Sequence, residues 1–288
     1  MSQTYTLSPA QIHQFEADGF LLIKDFYDLK GEILPIQKSI YDIICLIAAD
    51  HAPGLELPPF SPATFDAGYQ RLIARDRRLG GMVYDAAKQL PAFMRLLASE
   101  KHEAVLRQLR KSNAPGIAAG GYGMRIDNPG ESRFNSIWHN DYFSQLRSRS
   151  GVVFWASLVD LTPEMGPVIL CKGSHQEPLI RFRQVLPDQK LGTGSYQEIS
   201  NSFHIHELER LMARYPQVTP VPAAGDLLLI DFLTIHTSGN NVSQRSRWTM
   251  QMRWFAFDDE SGRKIKWVGS FAAGTDFREI HPEMIAHD

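Results

Sequence analysis

A β-rich chain introduced by helices is the fold that the sequence predicts, and three observations carry it. The first third shows apolar residues at helical spacing. From Ile117 onward the apolar residues fall into short runs separated by turn residues, without the regular helical insertions of a βαβ chain. Near the end, Arg247, Thr249, Gln251 and Arg253 alternate with Trp248, Met250, Met252 and Trp254, the period of a strand with one polar and one bulky face. A barrel or sandwich follows. In a barrel with helices packed outside, the apolar face meets those helices and the polar face lines a pocket.

Taken in order, Ser8-Pro9-Ala10-Gln11 supplies a capping serine, a proline at the first helical position and a glutamine to complete a capping box, so a helix runs to about Asp18 and Gly19 ends it. Phe20 to Ile23 reads as a buried strand, and Leu29 to Ala49 as a helix. The proline-rich stretch His51 to Phe65 is a loop. Two helical segments follow, the clearer from Met82 to Arg110 with an interruption at Pro91. The expected strands are Ala118 to Ile126, Phe134 to Trp138, Val152 to Val159, Val168 to Cys171, Val218 to Val221, Asp226 to Phe232 and Arg247 to Phe257. Between Gln176 and Phe203 lies a loop-rich insertion, expected to act as a lid, and then a helix from Ile205 to Tyr215. The chain therefore reads as one domain over 1–288: a mainly helical support region (1–116), then a barrel core (117–270) with the lid inserted at 176–217.

Composition narrows the function. Hydrophobic residues make up 43% and charged residues 22%, an ordinary globular balance. With 30 basic against 32 acidic residues and no long basic block, neither nucleic acid nor anionic lipid is an expected partner, which leaves small molecules. The start has no signal-peptide layout, and the most apolar stretch, Ile40 to Ala49, is broken by Asp42. A cytoplasmic location is the expectation. Two cysteines, Cys45 and Cys171, are too few for a disulfide framework and read as reduced thiols. Oligomeric state is not legible.

The chemistry centres on Trp138-His139-Asn140-Asp141. In extended chain, residues two apart point to the same side, so His139 and Asp141 can reach one ion. Among ten histidines such a pair arises by chance about as often as not. His236, just after the apolar run Leu227 to Phe232, adds a third ligand. Two histidines and one carboxylate form a facial set with open positions, the arrangement of non-haem Fe(II) oxygenases, whereas a closed zinc site takes four protein ligands. Iron of this kind needs an electron source such as 2-oxoglutarate, whose far carboxylate needs an anchor. Arg247 suits it, since a guanidinium makes two parallel bonds to a carboxylate and stays charged; without the triad it reads as a strand-edge arginine. Ser238 adds a hydroxyl donor.

These residues resemble the phytanoyl-CoA dioxygenase family of Fe(II)/2-oxoglutarate-dependent oxygenases. The likeness runs from Gln14-Phe-Glu-Ala-Asp-Gly-Phe-Leu-Leu-Ile23 through Trp138-His-Asn-Asp141, Val159-Asp-Leu-Thr-Pro-Glu-Met-Gly-Pro167, Lys172-Gly-Ser-His175 and Ala224-Gly-Asp-Leu-Leu-Leu-Ile230. It ends with His236-Thr-Ser-Gly-Asn-Asn-Val-Ser243 and Arg247, eleven residues after His236. The resemblance implies a double-stranded β-helix, the jelly-roll or cupin-like barrel, supported by helices. It implies His139, Asp141 and His236 as iron ligands, Arg247 and Ser238 at the 2-oxoglutarate carboxylate, and Trp155 as an aromatic beside the co-substrate. Lys172 stands where the family usually has proline, which touches only the pocket rim.

The expected activity is oxidation, foremost hydroxylation, of a small metabolite by O2, with 2-oxoglutarate converted to succinate and CO2. Desaturation, ring formation and group removal remain open. Halogenation is disfavoured, because Asp141 occupies the position that chloride would need. Two other classes compete: a catalytically silent cupin-like metal-binding protein, and a metal-dependent hydrolase or isomerase. Neither needs Arg247. Tyr122, Arg125, Tyr142, Gln251 and Arg253 are the candidate substrate-pocket residues. His204-Ile-His206-Glu207 reads as an exposed helix start rather than a second metal site, His175 as a turn residue, and Gly120-Gly-Tyr-Gly123 as close packing in a strand.

Overall fold

The computed structural model describes residues 5–185, 202–270 and 273–286. Helix α1 (Pro9–Asp18) begins as its sequence prescribes, with the Gln11 N–H donating to Ser8 Oγ at 3.2 Å and the Ser8 N–H to Gln11 Oε1 at 2.8 Å. Gly19 closes it at φ 77°, and a Cβ there would stand 2.4 Å from His175 Nδ1, so both the conformation and the contact require glycine.

The expected helix from Leu29 is two elements, a π-helical turn (Leu29–Ile33) and α2 (Leu34–His51). Four helices, not two, follow the proline-rich loop: α3 (Ala67–Arg75), α4 (Arg77–Ala87), α5 (Pro91–Leu97) and α6 (Glu100–Arg110). Caps divide them. Asp76 accepts the Arg78 N–H at 2.9 Å, Pro91 opens α5, and Ser99 accepts the Lys101 N–H at 3.2 Å.

The main sheet has the order β1-β8-β3-β10-β2, built from β1 (Phe20–Ile23), β2 (Pro115–Asp127), β3 (Val152–Ser157), β8 (Leu227–Asp231) and β10 (Arg247–Ala256), with every pair antiparallel. A smaller sheet, β7-β4-β9, joins β4 (Val168–Cys171), β7 (Gln217–Val218) and β9 (His236–Ser238). Register sorts the two faces of β10. Arg247, Thr249 and Gln251 lie opposite Asp127, Arg125 and Gly123 on one side, while Thr249, Gln251 and Arg253 lie opposite Ser157, Trp155 and Val153 on the other. These share one face. On the reverse face Trp248 meets Tyr69 of α3 and Phe65 at ring separations of 5.0 and 5.8 Å, and Trp254 meets His102 of α6 at 6.2 Å. The apolar side of the sheet therefore packs on the helices, as the alternation predicted.

Three expectations need correcting. Phe134 to Trp138 is not a strand but a 3-10 turn (Ser132–Phe134) and irregular chain; Arg125 donates to Phe134 O at 2.7 Å, where a ladder partner would, and to the Ser136 side chain at 2.7 Å. Within Gln176 to Phe203, β5 (Phe182–Gln184) pairs with β6 (Phe203–Ile205), which delays the next helix, α8, to Leu208–Arg214. The remainder of the expected lid, 186–201, lies outside the described residues. Among the described residues no helix is long and apolar enough to cross a membrane.

Candidate metal and co-substrate site

His139 and His236 form an isolated antiparallel bridge in which each backbone N–H donates to the other's carbonyl, at 2.9 and 2.8 Å. In such a pair the two side chains leave on the same side, and here the rings lie 4.2 Å apart. Asn140, extended at φ −121° and ψ 155°, accepts the Phe143 N–H at 3.0 Å and caps the short helix α7 (Asp141–Gln145). Extended backbone between His139 and Asp141 aims both inward, as their spacing predicted. Ligand atoms of His139, Asp141 and His236 all fall within 4.8 Å of one another, the sole such cluster among the described residues.

The local bonding leaves the right atoms available. Nδ1 of His139 lies 2.7 Å from Ile137 O, and Nδ1 of His236 lies 2.9 Å from Thr234 O. A carbonyl only accepts, so Nδ1 carries the proton in each ring and the Nε2 lone pair remains for a metal. Burial, with the neighbouring His236 imidazole, pushes His139 down to about 3. Burial drives the Asp141 carboxyl up, but the Arg253 guanidinium, by its charge and its hydrogen bond, outweighs this and holds it below its ordinary value. Neutral imidazole and ionised carboxylate are the forms that ligate metal. Asp141 Oδ2 is buried without a hydrogen-bond partner among the described residues, 3.4 Å from His236 Nε2. Such an orphaned acceptor in a three-ligand cluster fits a divalent ion with open positions.

Arg247 is buried, not a solvated strand-edge residue. Its Nη2 and Nε donate to Asp127 Oδ2 at 2.8 and 3.2 Å, and Asp127 Oδ1 also takes Arg125 Nε at 2.8 Å. Two guanidinium groups thus share one carboxylate. Arg247 Nη1 and Thr249 Oγ1, two residues apart on the same face, are both buried without a hydrogen-bond partner among the described residues. A cation with an unused donor beside an unused hydroxyl is what an incoming carboxylate would satisfy. Sequence reasoning missed Thr249 and Asp127. The alternation of β10 carried the signal for Thr249, whereas Asp127 reaches Arg247 across 120 residues with no local sign.

The other candidates separate. Ser238 is half-buried on β9, two residues after His236, and Trp155 is buried opposite Gln251 on the polar face. Gln251 and Arg253 lie on that face but bond to each other, Nη2 to Oε1 at 3.2 Å, and Arg253 Nε donates to Asp141 Oδ1 at 2.6 Å. The register corrects one pocket assignment. Tyr122 is opposite Met252 and so belongs to the helix-facing side. Arg125 stays on the polar face opposite Thr249, engaged by Asp127, Ser136 and Phe134. Tyr142 is fully buried, with its hydroxyl 2.6 Å from His281 Nε2 and its ring near Phe277 of the C-terminal segment. His175 keeps its turn role, with Nε2 3.0 Å from Glu16 O.

Comparison with known proteins agrees with this geometry. Residues 15–249 match the sequence model of the family described as Phytanoyl-CoA dioxygenase (PhyH). An ectoine dioxygenase of Halomonas elongata is 28% identical over 301 residues, covering 98% of this chain and 77% of that protein. Another, from Sphingopyxis alaskensis, is 24% identical, covering 82% and 72%. The crystal structure of EctD from S. alaskensis with bound Fe aligns at a TM-score of 0.56 with 18% identity, covering 88% of this chain and 80% of that one. The non-heme alpha ketoglutarate dependent carbocyclase SnoK aligns at 0.54 with 15% identity, covering 87% and 85%. The shared fold is the expected jelly-roll, with its helices on one face of the main sheet.

Proposed function

This chain belongs to the phytanoyl-CoA dioxygenase family, and from that premise we propose that His139, Asp141 and His236 hold Fe(II) while Arg247 anchors 2-oxoglutarate for the oxidation of a compact polar metabolite such as ectoine. The class itself, an Fe(II)/2-oxoglutarate-dependent dioxygenase acting on a small molecule, follows from the family and its relatives. The observation that carries the residue assignment is the His139–His236 bridge, which turns two proton-fixed imidazoles toward the partnerless oxygen of Asp141.

Bound there, iron with 2-oxoglutarate supplies the activation of O2, and succinate and CO2 leave as co-products. The protein's part is positioning. Ile137 O and Thr234 O hold the imidazole tautomers, and Arg253 orients the carboxylate. Arg247, itself steadied by Asp127, offers Nη1 to the far carboxylate of the co-substrate, with Thr249 and Ser238 as hydroxyl donors and Trp155 closing the side of the pocket. Three protein ligands leave room for co-substrate and O2 together. The likeness to ectoine dioxygenases over most of the chain supports a substrate of that kind, with hydroxylation as the outcome.

Succinate release tests both levels. Purified protein with Fe(II), 2-oxoglutarate and O2 is expected to release succinate faster when ectoine is added, with hydroxylated ectoine detected by mass spectrometry. No stimulation by ectoine overturns the substrate. No Fe(II)-dependent succinate release with any compact polar substrate overturns the site.

A further inference from the structure

We propose that Arg253 is a positioning residue that makes Asp141 a one-oxygen metal ligand, a role that rests on the metal site proposed above. Arg253 Nε donates to Asp141 Oδ1 at 2.6 Å, with 13% of one side chain and 1% of the other exposed. The guanidinium is also held elsewhere, with Nη1 donating to Gly121 O and Nη2 to Gln251 Oε1, each at 3.2 Å. Charge and planar geometry together fix where Oδ1 sits.

The carbonyl at Gly121 is free to serve because β2 bulges. Its register with β10 passes from Met252↔Tyr122 to Trp254↔Ile117, so Ala118 to Gly121 oppose Arg253 alone. A bulge takes backbone groups out of the ladder and re-aims them, here toward a side chain. A side chain on Gly121 would also crowd the bulge, since its Cβ would stand 2.9 Å from Ala118 Cβ and 3.1 Å from the Ala118 carbonyl. The glycine-rich stretch of β2 thereby gains a purpose.

A carboxylate with both oxygens free can chelate a metal through the pair and fill a position that co-substrate or O2 needs. With Oδ1 committed to Arg253, the partnerless Oδ2 is the atom left for the ion. Strand β10 then carries two anchors on one face, Arg247 for the co-substrate and Arg253 for the metal's carboxylate.

Anaerobic titration with Co(II), followed by visible absorption, tests this in the wild type, Arg253→Met, Arg253→Lys and Asp141→Ala. Arg253→Met is expected to bind Co(II) about 10- to 100-fold more weakly, with a changed band shape as the carboxylate turns. Arg253→Lys should recover part of the affinity, because it returns the charge without the fork. Should the Met variant fail to fold, the Lys variant decides, with a several-fold loss and a changed spectrum expected. Wild-type affinity and spectrum in the deciding variant overturn the role. Asp141→Ala separates the two levels: undiminished Co(II) binding there refutes the metal site, whereas loss there beside intact binding in the Arg253 variants refutes only the positioning role.

Discussion

His102 and His139 are both driven down to about 3, in each case chiefly by burial, yet their surroundings differ. His102 projects from α6 onto the main sheet with both ring nitrogens engaged, Nε2 2.7 Å from the Tyr27 hydroxyl and Nδ1 3.3 Å from Leu97 O. His139 has only Nδ1 engaged, and Nε2 turns toward His236 and Asp141, where no hydrogen bond closes it among the described residues. A depressed pKa therefore does not single out a ligand. What does is an open Nε2 lone pair placed beside Asp141 Oδ2, a buried acceptor without a hydrogen-bond partner among the described residues, which is costly unless something else satisfies it.

The widest separation between the two histidines should appear on substitution. His139→Ala, Asp141→Ala or His236→Ala is expected to abolish both metal binding and turnover, whereas His102→Phe should retain both in whatever fraction is folded. Metal analysis alongside succinate release checks it, and loss of metal in folded His102→Phe breaks the contrast.

Arg247→Ala tests the same logic at the next orphaned atom. Removing a buried charged donor should cost about 2–5 kcal/mol of 2-oxoglutarate binding, roughly 30-fold to several-thousand-fold. Iron binding should change little. Wild-type 2-oxoglutarate affinity in this variant would take Arg247 out of the site.

A smaller effect belongs to His102 itself. His102→Phe strands the Tyr27 hydroxyl and should lower stability by about 1–3 kcal/mol at neutral pH, read by urea denaturation of the metal-free protein. The last test uses acid. Because His102 stays neutral when folded but takes a proton near its ordinary value of about 6.5 when unfolded, the unfolded state binds more protons below that pH. Stability attributable to His102 is complete above about 6.5 and is lost as pH falls toward about 3, at up to about 1.4 kcal/mol per pH unit. His102→Phe should flatten the stability curve by that amount within the window. Parallel curves would show that His102 is not held neutral.

Much of the fold was legible locally. The capping box at Ser8 and Gln11, the stop at Gly19 and the alternation along β10 all depend on residues within a turn or two of one another. So did the aim of His139 and Asp141, set by one extended residue between them. The failures share a cause. Phe134 to Trp138 carries residues that suit a strand, but a strand needs a continuous partner, and here Phe134 O accepts from Arg125 while Ser136 O accepts from the Thr237 hydroxyl. Strand β9 was too short to show a period, and the split into four helices turned on caps at Asp76 and Ser99 that the apolar spacing concealed.

Residue type and spacing by themselves determined which donors this chain offers: two imidazoles, a carboxylate and an arginine on the polar face of a strand. Tertiary structure alone decided which atoms remain open. Asp127 meets Arg247 across 120 residues and Arg253 meets Asp141 across 112, and the β2 register sends Tyr122 to the helices. Spacing along a chain orients side chains over a few residues, whereas hydrogen bonds between distant segments depend on strand register, which only the packed sheet establishes.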